Sequence, residues 1–329
     1  MNPTAKFEVD ELATEILAGN DRALSRGLSC VERGGEAAET LMEHVYAHTG
    51  RAHIVGITGS PGSGKSTLTR ALARAATKMG MTVGVIAVDP SSPFSGGSIL
   101  GDRIRMNDVA VELGVFVRSL ATHGAMGGLS RAAADSIDLM DAAGRQLILV
   151  ETVGVGQDET DIMQTVHTVV VVSVPGLGDA IQTLKAGILE ISDIHVVNKA
   201  DREGADTVAA ELRSMLTLGI AKKIDSWQPP VLACVALREE GVLSLLEAIR
   251  EHFNHLKNSG ELEQKHRKMT SARLLAIVRN FLSDLAAQQD CHSDDLLKGM
   301  MARTLSPYAG GRMLLARLAQ CQSGGTQDV

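Results

Sequence analysis

Aromatic side chains are nearly absent from this sequence. Five Phe, two Tyr and one Trp stand among 329 residues, while 44% of the chain is hydrophobic. The core must therefore be built from Ala, Val, Leu, Ile and Met. Single-stranded nucleic acid stacks its bases on aromatic rings, so this scarcity argues against that partner. So does charge: 32 Lys and Arg against 39 Asp and Glu leave a net −7, with no basic footprint. Long apolar runs are missing too. A membrane-spanning helix needs about 20 apolar residues, and the most apolar stretch, 166–178, is broken by His167, Ser173 and Pro175. The first ten residues carry mixed charge and no apolar centre, unlike a secretory leader. Cys30, Cys234, Cys291 and Cys321 are scattered without a C-x-x-C pair, which fits reduced thiols and a cytoplasmic location.

What is present has a clear order. In residues 1–50, Leu12, Ile16 and Leu17, then Ala23, Leu24, Leu28 and Val31, recur near the helical period, with breaks at Gly19-Asn20-Asp21 and Gly34-Gly35. The middle changes character. Aliphatic runs of strand length occur at 53–57, 82–88, 147–150, 168–174, 194–197 and 231–235, with helical patterns between most of them. Continuous apolar strands alternating with helices predict an α/β fold whose mostly parallel sheet is covered on both faces. From about His255 onward no strand run remains, and the pattern is helical and charged. The expected organisation is an N-terminal helical extension (1–50), an α/β domain (51–256) and a C-terminal helical arm (257–329).

The first strand run leads into Gly59-Ser60-Pro61-Gly62-Ser63-Gly64-Lys65-Ser66-Thr67, followed by a helical pattern over 67–77. This fits G-x-x-x-x-G-K-S/T in its required place, between a strand and a helix. Glycines let backbone N–H groups turn toward phosphates, and the helix N-terminus adds positive potential. Lys65 is expected on the β and γ phosphates and the Ser66 hydroxyl on Mg²⁺. The loop identifies a nucleoside triphosphate and is mute about its base.

The base is addressed by Asn198-Lys199-Ala200-Asp201, which follows the run 194–197 and resembles the N-K-x-D base-recognition motif of GTPases. A carboxylate at Asp201 can accept hydrogen bonds from guanine N1–H and its exocyclic amine. Adenine offers a bare acceptor instead, and a carboxylate left unpaired discriminates strongly. Three further carboxylates, Asp89, Asp102 and Glu151, fall at strand ends or in loops, where ligands of open α/β sheets bind. They are candidates to hold Mg²⁺ directly or through water. Asp102 has helix capping as its alternative. Glu151 stands where GTPases commonly have Asp-x-x-Gly, and its role is either a water-mediated metal contact or the placing of the attacking water.

Three strings carry a closer resemblance. These are Val88-Asp89-Pro90-Ser91-Ser92-Pro93-Phe94-Ser95-Gly96-Gly97-Ser98-Ile99-Leu100-Gly101-Asp102-Arg103, Glu151-Thr152-Val153-Gly154-Val155-Gly156-Gln157, and Pro175-Gly176-Leu177-Gly178-Asp179. Together they resemble the signatures of the MeaB/ArgK/methylmalonic aciduria type A family, P-loop GTPases of the SIMIBI class. The resemblance spans nearly the whole chain. It implies a P-loop GTPase sheet flanked by helices, GTP/GDP and Mg²⁺ as ligands, and a C-terminal dimerisation arm giving a homodimer. It also implies a chaperone role toward an adenosylcobalamin-dependent acyl-CoA mutase, chiefly methylmalonyl-CoA mutase. Isobutyryl-CoA and ethylmalonyl-CoA mutases stay open as clients. Residues 91–105 and 151–161 correspond to two switch loops. Residues 176–187, with Asp179, Gln182 and Lys185, correspond to a third that meets the mutase; a solvated helix start is the other reading of Gln182 and Lys185. Phe94, a scarce aromatic in the first switch loop, either anchors the partner or nucleotide closure, or tucks against the domain.

One departure stands out. The family closes its guanine site with Ser-Ala-Leu, and here the positions read Val235-Ala236-Leu237. The Ala236 N–H is expected to reach guanine O6, while the hydroxyl contact is lost, so nucleotide affinity should be modestly weaker with base preference kept. Hydrolysis should be slow without a partner, because Val155 sits where Ras-like GTPases carry Gln and Gln157 comes two residues later. Two other classes compete. A nickel metallochaperone needs Cys and His at metal spacing, and His252 and His255, i,i+3 on a helix, read as surface positions. A kinase of an amino-acid transport protein would prefer ATP, which Asn198–Asp201 opposes. No D-x-H-x-x-G cobalamin motif occurs.

Overall fold

The structure, a computed structural model, describes residues 3–90, 114–122, 128–152, 164–176, 192–219, 227–288 and 294–323. Among the described residues seven strands form one sheet: β1 (His53–Gly59), β2 (Val83–Pro90), β3 (Phe116–Thr122), β4 (Leu147–Thr152), β5 (Thr168–Ser173), β6 (Ile194–Asn198) and β7 (Val231–Cys234). Their order is β3-β2-β4-β1-β5-β6-β7, and every pairing is parallel. The helices on this body are α1 (Pro3–Leu17), α2 (Asp21–Arg33), α3 (Glu36–Val45), α4 (Lys65–Lys78), α5 (Gly128–Ala142), α6 (Ala205–Gly219) and α7 (Val242–Ser259). Then come α8 (Glu261–Gln288), α9 (Asp294–Met301) and α10 (Pro307–Ser323). Two compact units divide at Ala272/Arg273, inside α8.

Alternation along the strands feeds two cores. Ile54 of β1, Ile148 and Val150 of β4, and Val169 and Val171 of β5 join the core under α1–α3 and α5. Val55, Ile57, Leu147, Leu149, Val170 and Val172 point the other way, onto α4 and α7. Among the described residues no Phe, Tyr or Trp belongs to the fully buried set of either layer, in keeping with their scarcity. The N-terminal helices form as expected. Asn20 caps α2, its Oδ1 accepting from Arg22 and Ala23 N–H at 2.9 and 3.2 Å. The entry to β1 is pinned by Asp141 of α5, whose buried carboxylate accepts from the N–H groups of Gly50 (2.6 Å), Arg51 (3.1 Å) and Ala52 (3.0 Å).

Beneath the amino ends of β1, β5 and β6 lies a buried polar cluster. His252 of α7 pairs with Asp193 Oδ1 at 3.3 Å and shares Thr168 Oγ1 with His53, at 2.8 and 2.7 Å. His167 Nδ1 accepts from Ile54 N–H, which leaves Nε2–H to donate to His266 Nε2 at 2.9 Å. Lys265 donates to the His167 carbonyl at 2.5 Å, and Trp227 Nε1 to the Asp193 carbonyl at 2.7 Å. His252 is therefore an interior residue, contrary to the surface position read from its spacing. Burial pushes the His167 pKa down to about 3, helped by His266 and Lys265, and holds His53 well below its usual range. At Asp193, burial acts to raise the pKa, but the His252 hydrogen bond and the Lys265 charge outweigh it and lower it. Among the described residues no group of three or more His, Cys, Asp or Glu is arranged to hold a metal ion, and no helix is long and apolar enough to cross a membrane.

Candidate functional site

The seven strands run parallel and end on the same edge, where the phosphate loop, Glu151 and the Asn198 turn lie together. The loop 59–64 leaves β1 at its centre. Gly59 takes φ +139, and a Cβ on it would meet the Val172 carbonyl oxygen at 2.1 Å, so no side chain fits. A Cβ on Gly64, at φ +88, would meet Asn198 Nδ2 at 2.5 Å. The two glycines thus let the loop pass tightly over β5 and β6. Lys65 opens α4, with Ser66 and Thr67 in its first turn. The buried Lys65 ammonium donates to the carbonyls of Gly59 and Ser60 at 2.8 and 3.1 Å. Ser63 is buried and its N–H donates to Ser60 O at 3.2 Å, while Pro61 and Gly62 are exposed.

Ser66 Oγ donates to Glu151 Oε1 at 2.5 Å. Glu151 is buried near the end of β4, next to Ile57 of β1 and Ala87 of β2 in register. A hydroxyl and a carboxylate in contact form a hard-oxygen pair, the donor chemistry that Mg²⁺ takes while keeping several waters. The hydroxyls of Thr58, Ser63, Thr152 and Ser173 are buried without a hydrogen-bond partner among the described residues. All four sit in the phosphate loop or at the carboxyl ends of β1, β4 and β5. Asp89 lies near the end of β2, in register with Ala121 of β3; its side chain lies outside the described residues. Phe94, Asp102, Gln157, Asp179, Gln182 and Lys185 also lie outside the described residues.

The second half of the site is a turn clamped to the first. Asn198, last residue of β6 and buried, donates from Nδ2 to Ser63 O at 2.8 Å and accepts the Ala236 N–H at 3.1 Å. Lys199, at φ +55, donates to Gly62 O at 2.8 Å. The phosphate loop, the Asn198 turn and the segment after β7 are thus one hydrogen-bonded unit. The Ala236 N–H expected on a base oxygen is here engaged by Asn198. Leu237 is 85% exposed, whereas Val235 is buried and donates its N–H to Glu240 O at 3.0 Å. Cys234, buried just before, has its thiol pushed up to about 11 by desolvation, which makes it an inert packing residue.

The sequence reading missed the charged residues that brace this segment. Arg238 Nη1 stands 3.3 Å from Asp201 Oδ2, and its Nε and Nη2 grip Glu240 at 2.7 and 3.2 Å. Glu239 is held by Arg74 and Lys78 of α4 at 3.1 and 3.4 Å. The one signal was the run Arg238-Glu239-Glu240-Gly241, which reads as an ordinary charged turn.

A parallel sheet with this phosphate loop after β1 and an N-K-x-D turn after β6 defines a P-loop GTPase fold. The chain belongs to the family of methylmalonyl-CoA mutase-associated GTPases, MeaB, whose sequence profile matches residues 24–290. It is 45% identical over 312 residues to a candidate GTPase of Pyrococcus horikoshii, covering 94% of this chain and 98% of that protein. It is 36% identical to the GTPase ArgK of Escherichia coli, covering 92% and 95%. It is 34% identical to the mitochondrial methylmalonic aciduria type A homolog of Mus musculus, covering 78% and 66%. The crystal structure of a LAO/AO transport system kinase superposes with a TM-score of 0.72 at 27% identity, covering 97% of this chain and 99% of that one.

Proposed function

We propose that this protein is a cytoplasmic, homodimeric GTPase that chaperones an adenosylcobalamin-dependent acyl-CoA mutase, with methylmalonyl-CoA mutase as the first candidate client. The observation that carries the nucleotide half is Asn198, which holds Ser63 O and Ala236 N–H at once and so fixes the base turn against the phosphate loop. The family membership and the similarity to the methylmalonic aciduria type A homolog support the client.

The roles of the phosphate-loop and Asn198-turn residues follow from their motifs, and those of the switch residues from the family resemblance. The N–H groups of residues 59–67 other than Pro61, and the Lys65 ammonium, bind the phosphates, with Lys65 exchanging the Gly59 and Ser60 carbonyls for phosphate oxygens. Asp201 reads the guanine N1–H and amine. Asn198 and Lys199 hold the base turn, and Val235, Ala236 and Leu237 close the pocket over the base. Buried hydroxyls at the strand ends offer further donors to the phosphates. Ser66, Glu151, Asp89 and Asp102 would hold Mg²⁺, which neutralises charge on the phosphates. Glu151, with Gln157, orients the attacking water. Gln157 is two residues beyond the position Ras-like enzymes use, so turnover without a partner is slow. Phe94, Asp179, Gln182 and Lys185 meet the client, and ordering of their loops couples hydrolysis to cofactor loading or release.

The arm over 257–329 supplies the dimer contact. Leu274, Leu275, Val278, Phe281 and Leu282 of α8 are exposed apolar side chains that a second copy would cover. The test is GTP turnover with and without purified methylmalonyl-CoA mutase: stimulation of tenfold or so supports gating, and an unchanged rate rejects it. Affinities for GTP and ATP separate this reading from the kinase alternative.

A further inference from the structure

Asp201 poses a physical problem. Its side chain is 40% exposed on a turn beyond β6, and an exposed aspartate rotates freely. A carboxylate discriminates guanine only if its plane is fixed, so that both oxygens meet N1–H and the exocyclic amine together. Backbone alone does part of this: the Ala200 N–H donates to Cys234 O at 3.0 Å, tying the turn to β7. The carboxylate itself needs a partner.

Arg238 is placed to be that partner. Its Nη1 reaches Asp201 Oδ2 at 3.3 Å, while Nε and Nη2 form a two-point grip on Glu240 at 2.7 and 3.2 Å. The guanidinium is planar and rigid, so a grip on one edge fixes the direction of the remaining nitrogen. The loop behind it is anchored as well. Val235 N–H donates to Glu240 O, and Glu239, at φ +59, is held by Arg74 and Lys78 of α4. A continuous line of contacts therefore runs from the phosphate-binding helix through residues 235–240 to Asp201.

We propose that Arg238, locked by Glu240, is a positioning residue that fixes the Asp201 carboxylate and thereby sets selectivity for guanine over bases lacking the exocyclic amine. This rests on the reading that Asp201 recognises guanine. Arg238 positions Asp201 and does not block it. Glu240 already neutralises its charge, its contact to Asp201 is the longest of the three, and a carboxylate oxygen has a second lone pair for the base.

The experiment is calorimetric titration of the full chain with GDP, IDP and ADP. IDP keeps N1–H and lacks the amine, so the GDP/IDP affinity ratio reports the geometry of the carboxylate. Arg238→Ala should weaken GDP binding about two- to fivefold, the range of an exposed charge pair, and IDP binding less, so the ratio falls. Arg238→Lys, which keeps the charge but loses the fork, should resemble Arg238→Ala. Glu240→Gln should lower the ratio in the same direction. Thermal melting of each variant checks that the fold is intact, and a purely structural role would weaken both nucleotides alike. An unchanged ratio in both Arg238→Ala and Glu240→Gln, or tighter GDP binding by either, overturns the proposal. A wild-type chain that does not prefer GDP to ADP overturns the underlying assignment of Asp201 as well, and is recognised before any variant is compared.

Discussion

Ser66 Oγ lies 2.5 Å from Glu151 Oε1, joining the first turn of the phosphate-binding helix to the end of the strand beside it. The Glu151 carboxylate is buried, so this contact matters more than one made in water. If Glu151 orients the attacking water, Glu151→Gln keeps shape and removes charge where the reaction needs it. We expect GTP turnover to fall by about 10²-fold or more while GDP affinity changes little. Single-turnover hydrolysis alongside GDP titration checks this; equal losses in both would assign Glu151 to binding instead.

The β1 entry makes a separate prediction about stability. Asp141 satisfies three consecutive backbone N–H groups from inside the protein. Asp141→Asn keeps one acceptor oxygen and replaces the other with an NH₂ donor that faces the N–H groups. The cost should be about 2–3 kcal/mol, read from urea unfolding, with Asp141→Ala costing at least as much.

The glycine at the start of the phosphate loop makes a steric prediction. With a Cβ only 2.1 Å from the Val172 carbonyl, Gly59→Ala must displace β5 or the loop. GDP binding should drop by more than tenfold, while Gly62→Ala, whose Cβ meets nothing within 4 Å, should lose less. Gly62 also has φ +77, so some strain remains there. Equal effects at both positions would show that crowding against Val172 does not control the loop.

Much of this was legible in the sequence, for a reason specific to parallel sheets. Strands buried on both faces read as unbroken aliphatic runs, so β1, β2, β4, β5 and β6 stand out, and the half-buried edge strand β7 still shows as the apolar run Val231-Leu232-Ala233-Cys234. β3 does not. It is an edge strand containing Arg118 and Ser119, and Arg118 turns onto Glu32 and Ser29 of α2, so its run is polar where the others are not. The phosphate loop and the Asn198 turn were readable because their chemistry is local. Arg238 and the burial of His252 were not, because each depends on a partner far along the chain: Asp201 for one, Thr168 and Asp193 for the other.

The buried histidines fix the sign of the pH response. His167 is held to about 3, His195 to about 4 by burial, and His53 well below its usual range. A histidine whose folded pKa is depressed stabilises fully above its unfolded value, near 6.5, and loses that contribution as pH falls toward the folded value. Stability should therefore be flat in this respect above about pH 6.5. Below it, each such group removes up to about 1.4 kcal/mol per pH unit. Asp193, whose carboxyl is lowered, adds to the loss under stronger acid. Urea unfolding from pH 7.5 to 5 should show the decline, with a shallower slope in His167→Gln; a slope that the substitution leaves unchanged contradicts this assignment.

Asp201 follows Asn198 and Lys199, which tie its turn to the phosphate loop, and from there we propose that it selects guanine. The most direct test is calorimetric binding of GDP and XDP to the wild-type chain and to Asp201→Asn. Xanthine carries an oxygen where guanine has its exocyclic amine, so an amide at position 201 can donate where the carboxylate could only accept. The wild-type chain should prefer GDP, and Asp201→Asn should lose GDP and gain XDP, reversing the order. GDP preference that survives in Asp201→Asn would contradict the proposal.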